Sequence, residues 1–302
     1  MPDTANPPSW RSLLFVPATS DRFVQSALRQ PADALQIDLE DSVAPDQKDE
    51  ARARVAGIAR TFRDAGYDVV VRVNRPWRQL VRDLEACVGE AVRAVTLPKV
   101  PDASYVRAVA EILDECEREA GVPAGHTRII AMVEDAEGLA NINEIAAAHP
   151  RMCGLIVGAE DLAVALRMAV DDDGLYMPNV MAVAACRRAG IVPIGFIGSV
   201  ADFADADDFR ARIRRARRLG FESAFCIHPR QVAIVNEEFS PQAEEVEHAT
   251  ELLAEFDRQM QAGRAACTFK GRMVDLPVVL QARQVLERHQ AAQRRARPAA
   301  GA

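Results

Sequence analysis

The chain has 302 residues, of which 49% are hydrophobic and 27% charged, and a formal net charge of −7. That is the balance of a globular chain with a sizeable core, long enough for one barrel-sized domain or two smaller ones. The acidic balance argues against a nucleic-acid partner, and no stretch approaches the roughly 20 apolar residues of a membrane helix. Six cysteines without a C-x-x-C pair fit a reducing compartment, and MPDTANPPSW lacks a signal-peptide pattern, so a cytoplasmic protein is expected.

Along the chain, short β-rich apolar runs alternate with longer helical stretches, the pattern of parallel strands joined by helices. The runs are 11–18, 34–41, 69–74, 94–100, 128–135, 154–161, 192–199 and 223–230. Helices are expected between them at 47–65, 102–120, 137–148, 179–189 and 205–219. Eight runs match a (β/α)8 TIM barrel, and no G-x-G-x-x-G follows the first run to support a doubly wound sheet. The arginines of 205–219 follow Asp205, Asp207 and Asp208 without interleaved aromatics, which reads as a solvated helix face rather than an RNA surface. After His228-Pro229-Arg230 the alternation stops. A helix at 241–262, opened by Ser240 with Pro241 at its first position, is followed by a turn around Phe269-Lys270-Gly271 and a second helix from Pro277 to about His289. The expected layout is thus a barrel over 10–238, a C-terminal helical extension over 239–294, and disordered tails at 1–9 and 295–302.

Polar residues collect at the carboxyl ends of the runs: Asp38, Glu40 and Asp41; Arg72 and Asn74; Lys99; Glu134 and Asp135; Glu160 and Asp161; His228 and Arg230. In a barrel these ends converge on the face that carries the active site. Alternation puts Leu35, Ile37 and Leu39 on one face of the second strand and Gln36, Asp38 and Glu40 on the other. Glu134 and Asp161 close neighbouring runs, so the two carboxylates make a candidate hard-cation site; the alternative is that each caps the helix that follows. Glu160 and Asp135 read more readily as helix-start acids. Arg72, inside an apolar run, needs a partner, which is either Glu40 or Asp41 or a substrate oxyanion. His228 reads as a general base or as a hydrogen-bonded residue beside Pro229, and Lys99 as an anion-steering group or an acid's partner. Asp275 reads on its own as a capping acid ahead of Pro277.

Together, R-S-L-L-F-V-P (11–17), D-L-E-D-S-V (38–43), V-R-V-N (71–74), L-P-K-V (97–100), E-D-A-E-G-L (134–139), G-A-E-D-L (158–162), C-I-H-P-R-Q-V (226–232), F-S-P (239–241) and G-R-M-V-D-L-P (271–277) resemble the citrate lyase beta subunit-like family, which includes malyl-CoA and citramalyl-CoA lyases. The likeness runs from Arg11 to Leu286. It implies a barrel with a helical extension, usually in a homotrimer, that cleaves 3-hydroxyacyl-CoA thioesters into an acyl-CoA and a 2-oxo acid. It also implies Mg2+ on Glu134 and Asp161, with Arg72 on the oxo-acid or enolate oxygen and Glu40 and Asp41 ordering the metal's waters or Arg72. Asp275, from an adjacent subunit, would exchange a proton with the acyl carbon, and Phe15, Pro17, Arg22, Lys48 and Arg52 would hold the CoA moiety. A citrate lyase beta-type subunit acting on an acyl carrier protein is the second reading. An HpaI-type aldolase would lack G-R-M-V-D. Three positions depart from the family pattern: Ala18 for glycine, Asp135 for a neutral residue, and I-G-F-I-G-S for the commoner I-D-G-x in the seventh run, which implies an altered substrate end.

Overall fold

A computed structural model describes residues 8–262 and 267–295. The chain divides into two compact units, Met1–Glu237 and Glu238–Ala302. In the first, strands β1 (Ser12–Pro17), β2 (Ala34–Asp38), β3 (Asp68–Arg72), β4 (Ala94–Leu97), β5 (Arg128–Val133), β6 (Met152–Val157), β7 (Val192–Ile194) and β8 (Ala224–Cys226) form one sheet in the order 7-6-5-4-3-2-1-8. Every neighbouring pair is parallel. A parallel bridge from Ile194 to Ser223, with the Gly195 N–H donating to the Ser223 carbonyl at 2.8 Å, joins the outer strands and closes the barrel. All eight apolar runs are barrel strands, but each strand ends before its run does, and the polar ends of the runs become the loops and helix starts of the site.

Helices Lys48–Asp64, Ala103–Ala120 and Ala206–Leu219 lie where periodicity puts them. The stretch 137–148 is instead broken into Ala136–Ala140 and Ile142–Ala146, with the Asn141 amide at the break donating to the Pro101 carbonyl at 3.0 Å. The helix expected at 179–189 begins at Asp172, capped by Asp171, and continues through Pro178. Burial of Leu175 and Pro178 outweighs the backbone hydrogen bond that a proline forgoes. Asp21–Ala27, Trp77–Cys87, Ala159–Leu166 and Pro229–Phe239 are further helices. On the arginine-rich helix, Arg210 pairs with Glu237, and Arg212 with Asp208 and Asp172, as a solvated face does. Cys87, Cys116, Cys153, Cys186 and Cys226 are free and buried. Among the described residues no helix is long and apolar enough to cross a membrane.

Inside the barrel, Leu13, Ala34, Val70, Ala94, Ile130, Val192, Ile194 and Phe225 form an apolar core with Trp10 and Cys153, and Phe15 and Ile156 lie against it. The amino ends of the strands are stapled by polar contacts. Arg11 forks onto Asp33 with two 2.8 Å bonds, and the Trp10 indole donates to Asp68 at 2.7 Å. Arg151 grips Glu117 at 2.7 and 2.6 Å, and that carboxylate also accepts the Gly125 and Thr127 N–H groups.

In the second unit, helix Ala243–Gln261 opens with a reciprocal capping box between Gln242 and Glu245. The expected start at Ser240-Pro241 is therefore two residues early, because the bonds that satisfy the first turn come from Gln242 and Glu245. The expected turn is the tip of a hairpin, β9 (Cys267–Phe269) with β10 (Arg272–Val274), and helix Leu276–Arg295 follows. Ala249, Leu252, Val274, Val279 and Ala282 form this unit's own core. Of the two expected disordered tails, 1–7 and 296–302 lie outside the described residues, and Arg295 belongs to the last helix.

Removing one partner of a buried ion pair strands the other charge. Arg151→Leu should lower unfolding free energy by about 3–5 kcal/mol, read by urea denaturation. A loss below about 1 kcal/mol would show that the staple behaves as a surface pair.

Candidate active site

The carboxyl ends of the strands surround a cavity of about 500 Å³ lined by Phe15, Pro17, Phe23, Asp38, Asp41, Arg72, Met132, Glu134, Ile156, Gly158, Glu160, Asp161, Phe196, Phe225 and Ile227, among others. Its organising contact follows from strand register. Asp38 and Arg72 are direct partners in the β2–β3 ladder, both on the inner face. Arg72 Nε and Nη2 each donate to an Asp38 oxygen at 2.7 Å, a bidentate fork. Asp38 also accepts the Glu40 and Ser42 N–H groups at 3.0 and 3.1 Å. The guanidinium lies over the Phe15 ring, 4.7 Å from its centre. Burial favours protonating Asp38, yet the Arg72 hydrogen bonds and charge outweigh it and hold the carboxyl below the usual range.

The third guanidinium nitrogen, Nη1, faces Glu40 Oε2 at 2.9 Å and Asp41 Oδ2 at 3.5 Å. The Glu40 contact misses hydrogen-bond alignment, so this buried oxygen has no hydrogen-bond donor. Burial pushes Glu40 up to about 8, against the pull of Arg72 and with help from the Asp41 and Glu134 charges. Of the two readings open for Arg72, pairing within the chain is seen directly, with Asp38 as its main partner. The second-strand alternation sets Asp38 on the same face as Glu40, and the β2–β3 register, which alternation does not give, makes Asp38 rather than Glu40 or Asp41 the main partner.

Across the cavity, Glu134 follows β5 and Asp161 lies in the first turn of helix Ala159–Leu166, whose N-cap is Gly158. Lys99, at the end of the β4 run with φ of 50°, bridges them. Its N–H donates to Glu134 Oε2 at 2.7 Å and its ammonium lies 3.2 Å from Asp161 Oδ1. Lys99 is thus an acid's partner, and through its backbone as well as its side chain. Burial lifts Glu134 to about 7; the Lys99 N–H opposes this and the Asp161 charge adds to it. Gly158 is the cradle for Glu134: a Cβ there would meet Glu134 Oε1 at 2.5 Å and Cγ at 2.6 Å. Nothing in the sequence marks that contact, since it depends on how β5 and β6 sit side by side.

Two oxygen donors from neighbouring strand ends suit a small hard cation, which commonly takes one or two carboxylates and fills its remaining positions with water and substrate. Among the described residues no third acid, histidine or cysteine completes a metal cluster. The orphaned Glu40 oxygen and the upward-shifted carboxyls fit a site short of positive charge.

The remaining candidates are more scattered. Phe15 and Pro17 line the cavity, and Arg22 lines a smaller one beside it, of about 230 Å³, with Phe15 and His228. Lys48 Nζ donates to the Leu39 and Glu40 carbonyls at 2.8 and 2.6 Å, and Arg52 is held by Asp83 and Asp49. His228 stacks on Phe203 and accepts the Arg230 N–H, the quieter of its two readings. Asp135 caps helix Ala136–Ala140, whereas Glu160 lines the cavity and bonds Ser199. Asp275 is in the second unit, exposed, and accepts the Val278 N–H at 3.3 Å ahead of the last helix.

The Gly158 cradle is testable. Gly158→Ala should destabilise by about 1–3 kcal/mol as Glu134 is displaced, and Glu134→Ala in the same chain should remove most of that penalty. Additive losses in this double-mutant cycle would refute the contact.

Comparison with known proteins places this geometry among relatives. The HpcH/HpaI aldolase/citrate lyase family model matches residues 11–229. An L-malyl-CoA/beta-methylmalyl-CoA lyase of Cereibacter sphaeroides is 33% identical over 91% of this chain and 93% of that one. Citrate lyase subunit beta of Leuconostoc mesenteroides subsp. cremoris is 32% identical over 92% of each. Among solved structures, protein CitE from Mycobacterium tuberculosis, in complex with magnesium, acetoacetate and coenzyme A, is 32% identical with a TM-score of 0.69, covering 95% of this chain and 99% of that one. With its barrel, its strand-end acids and these matches, the chain belongs to the HpcH/HpaI aldolase/citrate lyase family.

Proposed function

We propose that this protein is a Mg2+-dependent carbon–carbon lyase that reversibly cleaves a 3-hydroxyacyl-CoA of the malyl-CoA or citramalyl-CoA type into an acyl-CoA, such as acetyl-CoA, and a 2-oxo acid. The observation that carries this is the pairing, in one cavity, of the Lys99-bridged carboxylates Glu134 and Asp161 with the Arg72 fork. Glu134 and Asp161 would hold the ion; when bound, Mg2+ supplies Lewis-acid polarisation of the substrate oxygens. Arg72, fixed by Asp38, offsets negative charge on the oxygen of the enolate that departs as the carbon–carbon bond breaks. Glu40 and Asp41, which face Arg72 Nη1, would help orient that guanidinium and the water of a bound ion. Phe15, Pro17 and Arg22 border the side on which the CoA moiety enters, with Lys48 and Arg52 shaping the adjoining loop and helix.

Proton exchange with the acyl carbon is assigned to Asp275 of an adjacent copy in a homotrimer. It protonates the carbanion on cleavage and removes that proton in condensation. The exposure of its carboxylate supports this, since only one N–H of its own helix occupies it. A second reading, a beta-type subunit that cleaves a citryl thioester on an acyl carrier protein, is favoured by the equal likeness to citrate lyase subunit beta.

Purified protein with Mg2+ and malyl-, citramalyl- or methylmalyl-type CoA thioesters should release 2-oxo acid, and EDTA should stop it. Asp275→Asn should cut the rate by roughly 10²–10⁴-fold. Idle CoA esters with a cleaved carrier-protein thioester would favour the second reading. Cation binding requires ionised carboxylates, and Glu134 and Glu40 are shifted up to about 7 and about 8. Mg2+ affinity should therefore rise with pH through that range, with protons released on binding. Calorimetry in buffers of differing ionisation enthalpy reads both, and a pH-independent affinity without proton release contradicts the assignment.

A further inference from the structure

The cavity is charged around its rim and apolar in its depth. The period of two along each strand gives the reason. Met132 lies one inward position below Glu134, and Ile156 one below Gly158, which cradles Glu134. Phe15 lies beneath the Arg72 guanidinium and packs on Phe225 with ring centres 5.1 Å apart. Ile156 and Phe15 rest directly on the hydrophobic core. At the same depth Gln36 and Thr96 are fully buried and do not line the cavity: the Thr96 hydroxyl donates to Gln36 Oε1 at 2.6 Å, and Gln36 Nε2 is left without a hydrogen-bond partner.

Phe196 completes this wall from the segment after β7. It is buried and held edge-to-face against Phe209, 5.5 Å between centres at 87°. Gly195 and Gly198 bracket it with φ of 132° and 135°, values that side-chain-bearing residues rarely adopt, so the backbone path that presents Phe196 depends on both glycines. This is the stretch where the sequence reads I-G-F-I-G-S.

Among the described residues lining the cavity, Arg72 is the one basic side chain, and Asp38, Glu40 and Asp41 already engage it. Lys99 nearby is paired with Asp161, and Arg212, against Gly198, with Asp208 and Asp172. A ligand carboxylate at the rim can be met by a bound cation and Arg72. A second carboxylate, directed into the depth, would meet a wall of hydrocarbon side chains and no basic group, and a buried charge without an opposite charge is strongly disfavoured.

We infer that the 2-oxo acid handled here carries an uncharged hydrocarbon substituent, seated on Met132, Ile156, Phe15 and Phe196, and that acids with a second carboxylate are rejected. The inference rests on the lyase reading and narrows its substrate class: pyruvate and its longer alkyl homologues fit, and oxaloacetate and 2-oxoglutarate do not.

The test uses the Mg2+-loaded full chain and two readouts. Calorimetry gives Kd for pyruvate, 2-oxobutyrate, oxaloacetate and 2-oxoglutarate, and condensation with acetyl-CoA gives kcat/KM for each. Both are expected to favour the monocarboxylic acids by at least about a hundredfold. In Phe196→Ala, the kcat/KM ratio of 2-oxobutyrate or a branched homologue to pyruvate should rise about tenfold. Condensation that prefers oxaloacetate overturns the inference and leaves the lyase reading standing. Monocarboxylate-selective binding without any condensation supports the inference and overturns the lyase reading. Absence of both binding and turnover overturns the two together, and an unchanged ratio in Phe196→Ala removes Phe196 from the wall.

Discussion

The site depends on a guanidinium that must be neutralised where it stands. Arg72 ends a buried strand and reaches solvent only through the cavity, so its charge has to be met mostly by the chain itself. Parallel register sets Asp38 beside it, and the fork between them is as much a consequence of β2–β3 pairing as of side-chain choice. Two of the three guanidinium nitrogens are spent on that fork, and Nη1 remains directed at Glu40 and Asp41. An arginine held this way cannot swing, so it presents one fixed donor direction to the cavity. Preorganised donors of this kind act on developing charge without reorganising during reaction. Lysine in its place would offer a point charge without the planar fork and would lose the ladder partner's geometry.

Around that contact the charge does not balance. Asp38, Glu40, Asp41, Glu134, Glu160 and Asp161 gather at strand ends or in the loops and helix turn just beyond them, against Arg72, Lys99 and the Lys48 ammonium. Six carboxylates against three cations leave a deficit if all ionise. Burial and neighbouring acids lift Glu40 and Glu134, which favours protons on those two groups and lowers the deficit. A divalent ion would meet it in another way, releasing those protons. Lys99 fits either state: its backbone N–H holds Glu134 whatever its side chain does, while the ammonium on Asp161 can yield to an incoming cation.

Much of this architecture is visible in the sequence because barrel strands obey short-range rules. Alternation puts Gln36, Asp38 and Glu40 on one face of the second strand, and the eight apolar runs correspond to the eight strands. Local patterns also explain Asp135 and Asp205, each capping the helix that follows. What eluded them is tertiary or overruled by packing. Gly158 matters only because Glu134 from the neighbouring strand lies against it. Lys99 joins two acids that come from later strands. Pro178 inside a helix contradicts propensity, and the burial around it decides the outcome. Ser240-Pro241 is a plausible helix start beside a better one, the Gln242–Glu245 box.

The two ends of the barrel use the same residue types to opposite effect. At the amino end, Asp33 accepts both fork bonds of Arg11 and that residue's N–H, and Glu117 accepts Arg151, Gly125 and Thr127. Those carboxylates are saturated by the chain itself, so they gain nothing from a ligand and hold the strand starts in place. At the carboxyl end, Glu40 keeps a buried oxygen without a hydrogen-bond donor, and Asp161 faces the half-exposed Lys99 ammonium. Unsatisfied groups of that kind cost stability, and a fold tolerates them where a ligand will complete them. The saturated end lets the other remain incomplete. Because strand register fixes both, a substitution that relieves strain at the mouth without shifting the strands, such as Glu40→Gln, would be expected to stabilise the empty protein while weakening its hold on a cation. This is the trade-off expected when a site is kept poised for binding.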